Sequence, residues 1–518
     1  MEYLLTAKEM KEADTYTSEV IGVPSAVLME RAALQVFSAI LELRSTRPLR
    51  KVVVVSGLGG NGADGLAVAR LCAEENIPVS CFRIEGTVRD GSLFALQEKA
   101  LSGYQIPVLP WTEEALKTCV LEETFDTGVI LLIDAIAGIG LSGALRDPVR
   151  EGIRLINTAK QEGNALVYSV DLPSGLDTDT GKPLEEAVMA DKTITFAFYK
   201  RAHFTEAGRP YCGEVVLRPV GISARSLTAA PEMFTYRSET AKDLLPLRDP
   251  SGNKGSNGKI LIVGGSYGMA GALLLSGKSA YLSGSGMVKL CTDERNREIL
   301  QESLPEALLS LYDEETPVQD GLRDACQWAD VIVLGPGLST SHTAYLLVEE
   351  ILKNTEKPLV LDADALNLIA EHEELRLLLR ERGKRSVCIL TPHLMELSRL
   401  CKQPVAAIKE DPLSHAKKTA EEFSCTILAK SARSYVANAE NDRVYLNTSG
   451  NSALATAGTG DVLAGLCGSL LSGIKGGFLT ACAASYLHGR AGETASLEKG
   501  EMSVLAGDVA DAIPEVLR

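Results

Sequence analysis

The stretch Lys51-Val-Val-Val-Val-Ser-Gly57-Leu-Gly-Gly-Asn61-Gly-Ala-Asp-Gly65 decides the fold. Val52 to Val55 are apolar and β-branched without alternation, which reads as a strand buried on both faces, and such strands belong to parallel sheets covered by helices. The glycines after it permit a tight turn, and a helix is read from about Asp64 to Glu74. Outward from this unit the same grammar recurs. Upstream lie a helical pattern from Thr6 to Tyr16 and an apolar run through Leu28, Ala32, Ala33 and Val36. Downstream come strands near Pro78 to Phe82, Val129 to Ile133, Ala165 to Val170 and Lys192 to Ala197, with helices at Ser92 to Ser102 and Asp147 to Glu162. The result is an α/β layout of Rossmann-like, three-layer type.

From about Ile222 to Thr240 the pattern fades, and a second βα series starts at Lys259 to Val263. Its further strands are read at Met287 to Cys291, Val331 to Leu334, Leu359 to Leu361, Val387 to Leu390 and Thr426 to Ala429. Two Ala/Gly-rich helices, Asp461 to Gly473 and Leu479 to Ala495, close it. The expected division is a domain over 1–225, a linker over 226–240 and a second α/β domain over 241–518. The length of 518 residues agrees with this, since it exceeds one ordinary core.

Composition narrows the function. Hydrophobic residues are 45%, charged residues 23% and glycines 46 in number, the balance of a Gly-rich α/β enzyme. A net charge of −16 argues against bulk attraction to nucleic acid or anionic membrane, so a phosphate-bearing ligand would be held locally. The 11 cysteines show no C-x-x-C pair, no secretory signal precedes Met10, and the longest apolar run, Val129 to Leu141, is broken by Asp134. A soluble protein of a reducing cytoplasm is expected.

Three loops leave strand ends on one carboxyl edge of the first sheet, where ligands of open α/β sheets gather. These are the Gly57 to Gly65 loop, Asp134-Ala-Ile-Ala-Gly138-Ile-Gly140-Leu141 and Asp171-Leu-Pro-Ser174-Gly175. Each alone has a plain reading as a tight turn or an Asp N-cap. Together they favour a site, with Asn61, Asp134 and Ser174 as hard oxygen donors for a cation. In the second half, Gly458-Thr-Gly-Asp461 runs into an apolar helix. Its amides would face a phosphoryl oxygen, and Asp461 could take a proton from an attacking hydroxyl, although an acid in a first helical turn also stabilises the helix dipole. His393, just past a strand, reads by itself as structural.

These motifs carry a resemblance. Asn61-Gly-Ala-Asp-Gly65, Asp134 with its Gly138/Gly140 turn, Asp171-Leu-Pro-Ser174 and the entry segment Gly22-Val-Pro-Ser25 to Glu30 resemble the NAD(P)H-hydrate epimerase domain. The resemblance implies that Gly60, Asn61, Gly62, Ala63, Asp64, Asp171 and the turn Gly138, Ile139, Gly140, Leu141, Ser142, Gly143 and Ala144 bind the hydrated nucleotide. It also implies a potassium ion on Asn61, Asp134 and Ser174. Ala63 and Leu58 depart from the family's usual Gly and Pro.

The second half is similar to the ribokinase-like fold and, within it, to ADP-dependent NAD(P)H-hydrate dehydratase. The similarity is carried by Gly264-Gly-Ser-Tyr-Gly-Met-Ala-Gly-Ala272, Gly335-Pro-Gly337-Leu, Asp362-Ala-Asp364-Ala-Leu-Asn367, Thr391-Pro-His393 and Leu454-Ala-Thr-Ala-Gly-Thr-Gly-Asp-Val-Leu-Ala-Gly465. Leu487-His488-Gly489 and Ala506 to Pro514 fit as well. It implies substrate contacts at Ala272, Gly337, His393 and Asp461, and adenine-nucleotide contacts at Lys430, Ser431, Ala432, Arg433, Ser434 and Gly460. Met395, Ser431 and Ala457 stand where the family usually has glycine.

The combined resemblance implies repair of NADH and NADPH that have taken up water across the nicotinamide 5,6 double bond. The first domain would interconvert R and S hydrates, with Asp171 handling the proton. The second would dehydrate the S hydrate with ADP as co-substrate, Mg²⁺ on the phosphates and Asp461 as base. A homo-oligomer, a tetramer or larger, is also expected. The alternative is a vitamin or sugar kinase with an amino-terminal nucleotide-binding module, whose product would keep its phosphate; a non-catalytic first domain is a third reading.

Overall fold

The computed structural model describes residues 1–121, 128–163, 165–237, 239, 241–245, 248–318 and 320–518. The chain forms two compact units, one of Glu2–Met233 and one of Phe234–Arg518 together with Met1. A strand, Met233–Thr235, falls in the stretch read as linker, of which residues 238 and 240 lie outside the described residues.

The amino-terminal unit is built on a parallel sheet whose spatial order is Val108–Pro110, Val79–Arg83, Leu49–Ser56, Val129–Ala135, Leu166–Val170, Lys192–Phe196 and Glu214–Arg218. Val52 to Val55 are all fully buried, as a two-faced strand requires. One face packs on the helices Ser25–Thr46 and Gly60–Glu74, and the other on Asp147–Glu162. The order reverses between Leu49–Ser56 and Val129–Ala135, which makes that crevice the ligand position of the architecture. The helix read from Asp64 in fact begins at Gly60. The Ala63 amide already bonds to Gly59 O at 3.0 Å, so Asn61 to Asp64 form a first helical turn and not a loop.

The carboxyl-terminal unit has seven parallel strands in the order Leu308–Tyr312, Met287–Asp293, Lys259–Val263, Val331–Leu334, Leu359–Leu361, Cys388–Leu390 and Thr426–Ala429. Tyr435–Asn438 and Val444–Leu446 continue it antiparallel. The closing helices run over Thr459–Leu471 and Gly477–Lys499.

Both units solve their switch-point crossing alike. A Cβ on Gly57, after the strand Leu49–Ser56, would stand 1.9 Å from Ile136 O, and one on Gly264, after Lys259–Val263, would stand 2.0 Å from Pro336 O. No side chain fits at either position, so the two glycines let the loops of neighbouring strands touch backbone to backbone. That contact brings the site-bearing loops together.

Candidate active sites

In the amino-terminal unit a cleft of about 1410 Å³ opens at the switch point. Gly60, Asn61, Asp64, Gly138, Ile139, Gly140, Leu141, Ser142, Ala144 and Asp171 line it. Gly62, Ala63 and Gly143 do not. Ala63 is fully buried in the core, so the methyl that departs from the family glycine points away from the cleft.

Asp134 ends its strand fully buried. Its carboxylate accepts from Ser169 Oγ at 2.8 Å, Ser174 N at 2.9 Å, Ser174 Oγ at 2.5 Å and Ile136 N at 3.4 Å. Burial nevertheless holds its pKa above the usual carboxylate value, because these donors are neutral. As placed, the carbonyl oxygen of Asn61 faces only acceptors; turned over, the amide donates to Val170 O at 3.1 Å and accepts from Gly138 N at 3.3 Å. A buried carboxylate whose side-chain neighbours Ser169, Ser174 and Asn61 offer oxygen atoms fits an alkali cation. No group of three His, Cys, Asp or Glu suited to a metal ion occurs among the described residues.

Asp171 lies across the cleft, ion-paired with the fully buried Lys200. Burial lowers the pKa of Lys200, and Asp171 counters that effect. Asp64 has its pKa pushed well up, first by burial and then by the charge of Asp171. The floor thus combines an ion-paired carboxylate with one whose charged form is disfavoured by burial.

In the carboxyl-terminal unit, Gly458 adopts φ +91° and starts the helix that carries Asp461 in its first turn. A Cβ on Gly460 would stand 3.4 Å from Lys430 Nζ and 3.9 Å from Asp362 Oδ2, which shows how closely these groups meet. Lys430 donates to Asp362 at 2.6 Å, and Thr391 Oγ1 donates to the same oxygen at 2.7 Å. Burial raises Asp461 to about 7, with the charge of Asp362 adding to the effect and Lys430 opposing it. Burial also raises the buried Glu396. His488 is buried, and burial lowers its pKa to about 4, so it is neutral at pH 7.

The remaining loops converge here. Ser276 Oγ donates to Asp461 O at 2.8 Å, one helical turn beyond Ala272, and a Cβ on Gly337 would lie 3.0 Å from the Ala272 Cβ. His393 caps the helix Leu394–Cys401, accepting from Met395 N at 3.1 Å and Glu396 N at 3.2 Å, and pairs in a β-bridge with Lys430.

Residues 260–515 match the family described as NAD(P)H-hydrate dehydratase, and residues 25–202 match that described as YjeF-related protein N-terminus. The chain is 35% identical over 530 aligned residues to the bifunctional NAD(P)H-hydrate repair enzyme of Moorella thermoacetica, covering 100% of this chain and 97% of that protein. The chain belongs to the bifunctional NAD(P)H-hydrate repair enzymes. It is 31% identical to the member from Coxiella burnetii, covering 98% of each chain. Among solved structures, an ADP/ATP-dependent NAD(P)H-hydrate dehydratase from Bacillus subtilis, co-crystallised with ATP/Mg²⁺, is 30% identical, covering 54% of this chain and 96% of that one, with a TM-score of 0.45. The fold class stands as expected: a Rossmann-like unit followed by a ribokinase-like one.

In this repair enzyme, Lys430 to Ser434 form the turn between the strands Thr426–Ala429 and Tyr435–Asn438. Ser431, at a family glycine position, uses its hydroxyl to brace the turn, donating to Arg433 O at 2.7 Å. The buried Arg433 donates to Thr448 O at 2.8 Å, so that contact serves the scaffold. Met395 is 53% exposed and Ala457 is exposed, so both larger residues are accommodated towards solvent. Sequence reasoning omitted Asp362 and Glu396 as site residues, although the Asp362-Ala-Asp364 and Thr391 to Glu396 motifs past two strand ends held the signal. It also missed Lys200, which no periodicity marks.

Proposed function

We propose that the two sites share the repair of hydrated NADH and NADPH: the amino-terminal unit equilibrates the R and S hydrates, and the carboxyl-terminal unit dehydrates the S hydrate with ADP. The observation that carries this reading is Asp461, a carboxyl held near neutrality at the mouth of a glycine-rich helix start beside Lys430. A general base works best when its pKa is close to the working pH.

At that site Asp461 accepts the proton of the C6 hydroxyl as its oxygen bonds to the β-phosphorus of ADP and the bond to AMP breaks. The Gly458 and Gly460 amides and Lys430 face the charge that develops on the phosphoryl oxygens. The C6–O bond then breaks with the electron pair leaving on phosphate, the ring nitrogen supplies its lone pair to C6, and loss of a C5 proton restores the 5,6 double bond. Asp362 and Glu396 would hold Mg²⁺ arriving with the nucleotide, which screens the phosphate charge. His393 and Ala272 bound the side where the nicotinamide would lie, and Lys430 to Ser434 that of AMP.

At the amino-terminal site the ring nitrogen lone pair expels the C6 hydroxyl, water adds to the opposite face of the planar ring carbon, and Asp171, a carboxylate at rest, takes the proton of that water and passes it to the hydroxide that left. Asn61, Asp134 and Ser174 would hold K⁺, whose positive charge steadies that oxygen. A homo-oligomer, a tetramer or larger, and a cytoplasmic location belong to this proposal. No helix among the described residues is long and apolar enough to cross a membrane.

The pH profile tests the base assignment. Because Asp461 titrates at about 7, its proton-accepting form is gained as pH rises through that value and lost below it. We expect kcat/KM for S-hydrate dehydration to be about tenfold lower at pH 6 than on its alkaline plateau, since this ratio reports the free enzyme's groups. A profile flat down to pH 5 would exclude Asp461 as base.

A further inference from the structure

Asp171 is anchored from several sides. Its φ of +67° lies where residues other than glycine are uncommon. Its amide donates to Ile194 O at 2.8 Å, and its carbonyl accepts from His203 Nε2 at 2.9 Å. His203 Nδ1 accepts from the Lys200 amide at 3.0 Å, which assigns the ring proton to Nε2. Each side of the imidazole therefore holds one member of the Asp171–Lys200 pair by its backbone.

The two carboxylate oxygens of Asp171 are treated differently. Oδ1 accepts from Lys200 Nζ, from Thr195 Oγ1 at 3.0 Å and from Phe196 N at 3.3 Å. Oδ2 takes none of these bonds. It faces Gly138, 3.8 Å from where a Cβ of that residue would stand, a point only 3.5 Å from Asn61 Cγ. Lys200 has three ammonium protons and three acceptors: Asp171 Oδ1, Thr195 Oγ1 at 2.9 Å and Phe196 O at 3.2 Å. No donor is left over for a substrate. Asp14 and Asp64 also face Asp171, so Lys200 is a cation set against an acidic floor.

From this geometry we infer that Lys200, braced by His203, is a positioning residue that captures Oδ1 of Asp171 and leaves Oδ2 as the oxygen that meets the hydrated nicotinamide. The inference rests on the role given to Asp171 above. Lys200 works through Asp171, so its loss slows the chemical step more than it weakens binding.

The test uses Lys200→Met, Lys200→Ala and Asp171→Asn in the full chain, assayed for epimerisation of R-NADH hydrate with added ethylammonium as a probe. In both Lys200 variants we expect kcat to fall about 10²-fold or more with KM within about threefold. Ethylammonium should restore about tenfold or more in Lys200→Ala, where it can occupy the vacated space, and nothing in Lys200→Met or Asp171→Asn. Lys200→Met keeps the volume and carries the split of kcat from KM if the smaller variant does not fold. An inactive Asp171→Asn beside a Lys200→Met that keeps more than half of kcat overturns the positioning role alone. An active Asp171→Asn overturns the reading of Asp171 itself, and the positioning role with it. Loss of activity through a raised KM, without rescue, would show that Lys200 only supports the fold and would also overturn the inference.

Discussion

Asp461→Asn lowers the dehydration rate of the S hydrate by about 10³-fold or more while the affinity for ADP changes less than about threefold. The change keeps the shape of the side chain and removes its capacity to accept a proton, and loss of a positioned base costs on the order of 10²–10⁴ in rate. A stability measurement separates this from simple damage. Asp461 has its folded pKa raised above the unfolded value, so its contribution to stability is full in acid and is lost as pH rises through about 7. Above that pH the buried charge weighs against folding. Asp461→Asn should therefore have a higher Tm than the parent at pH 8, with the difference narrowing towards pH 6. An inactive variant that is also less stable at pH 8 would indicate a disrupted turn and not a missing base.

Asp171→Asn abolishes repair of the R hydrate and leaves repair of the S hydrate at the parental rate. The effect is confined to one epimer because Asp171 belongs to the amino-terminal cleft, whereas Asp461, Lys430 and Asp362 meet in the carboxyl-terminal unit. An amide at position 171 could still accept from Thr195 and Phe196, but it could neither pair ionically with Lys200 nor exchange a proton. Asp171→Asn should therefore epimerise at least about 10²-fold more slowly than the parent. Parental turnover of the R hydrate by this variant would remove Asp171 from the chemistry.

Much of this was legible in the amino acids. The uninterrupted apolar strand Val52 to Val55 announced a two-faced parallel sheet, and Asp147 and Glu162 bound their helix as read. Short or half-exposed strands were invisible: Glu214–Arg218 lies at a sheet edge with mixed side chains, and Tyr199–Lys200 is two residues long. In the Asn61 to Asp64 segment, glycine content suggested a loop, yet the Gly59 carbonyl already caps a helix there. Of the site, the glycine turns and Asp461 were readable because their chemistry depends on local spacing. Lys200 was not, since its partner Asp171 lies 29 residues away and only the fold brings the two together. The same holds for the contact of Lys430 with Asp362, 68 residues apart.

The central claim is that one chain repairs both epimers. Its most direct test is the recovery of NADH absorbance when the purified chain is mixed with R and S hydrates and ADP, followed for a time short against their uncatalysed interconversion. Recovery of the full starting NADH, with one phosphate released per molecule restored, is the predicted result. Recovery that stops at the S fraction would contradict the role of the amino-terminal unit, and a stable phosphoester formed without NADH would mean that the carboxyl-terminal unit is a kinase.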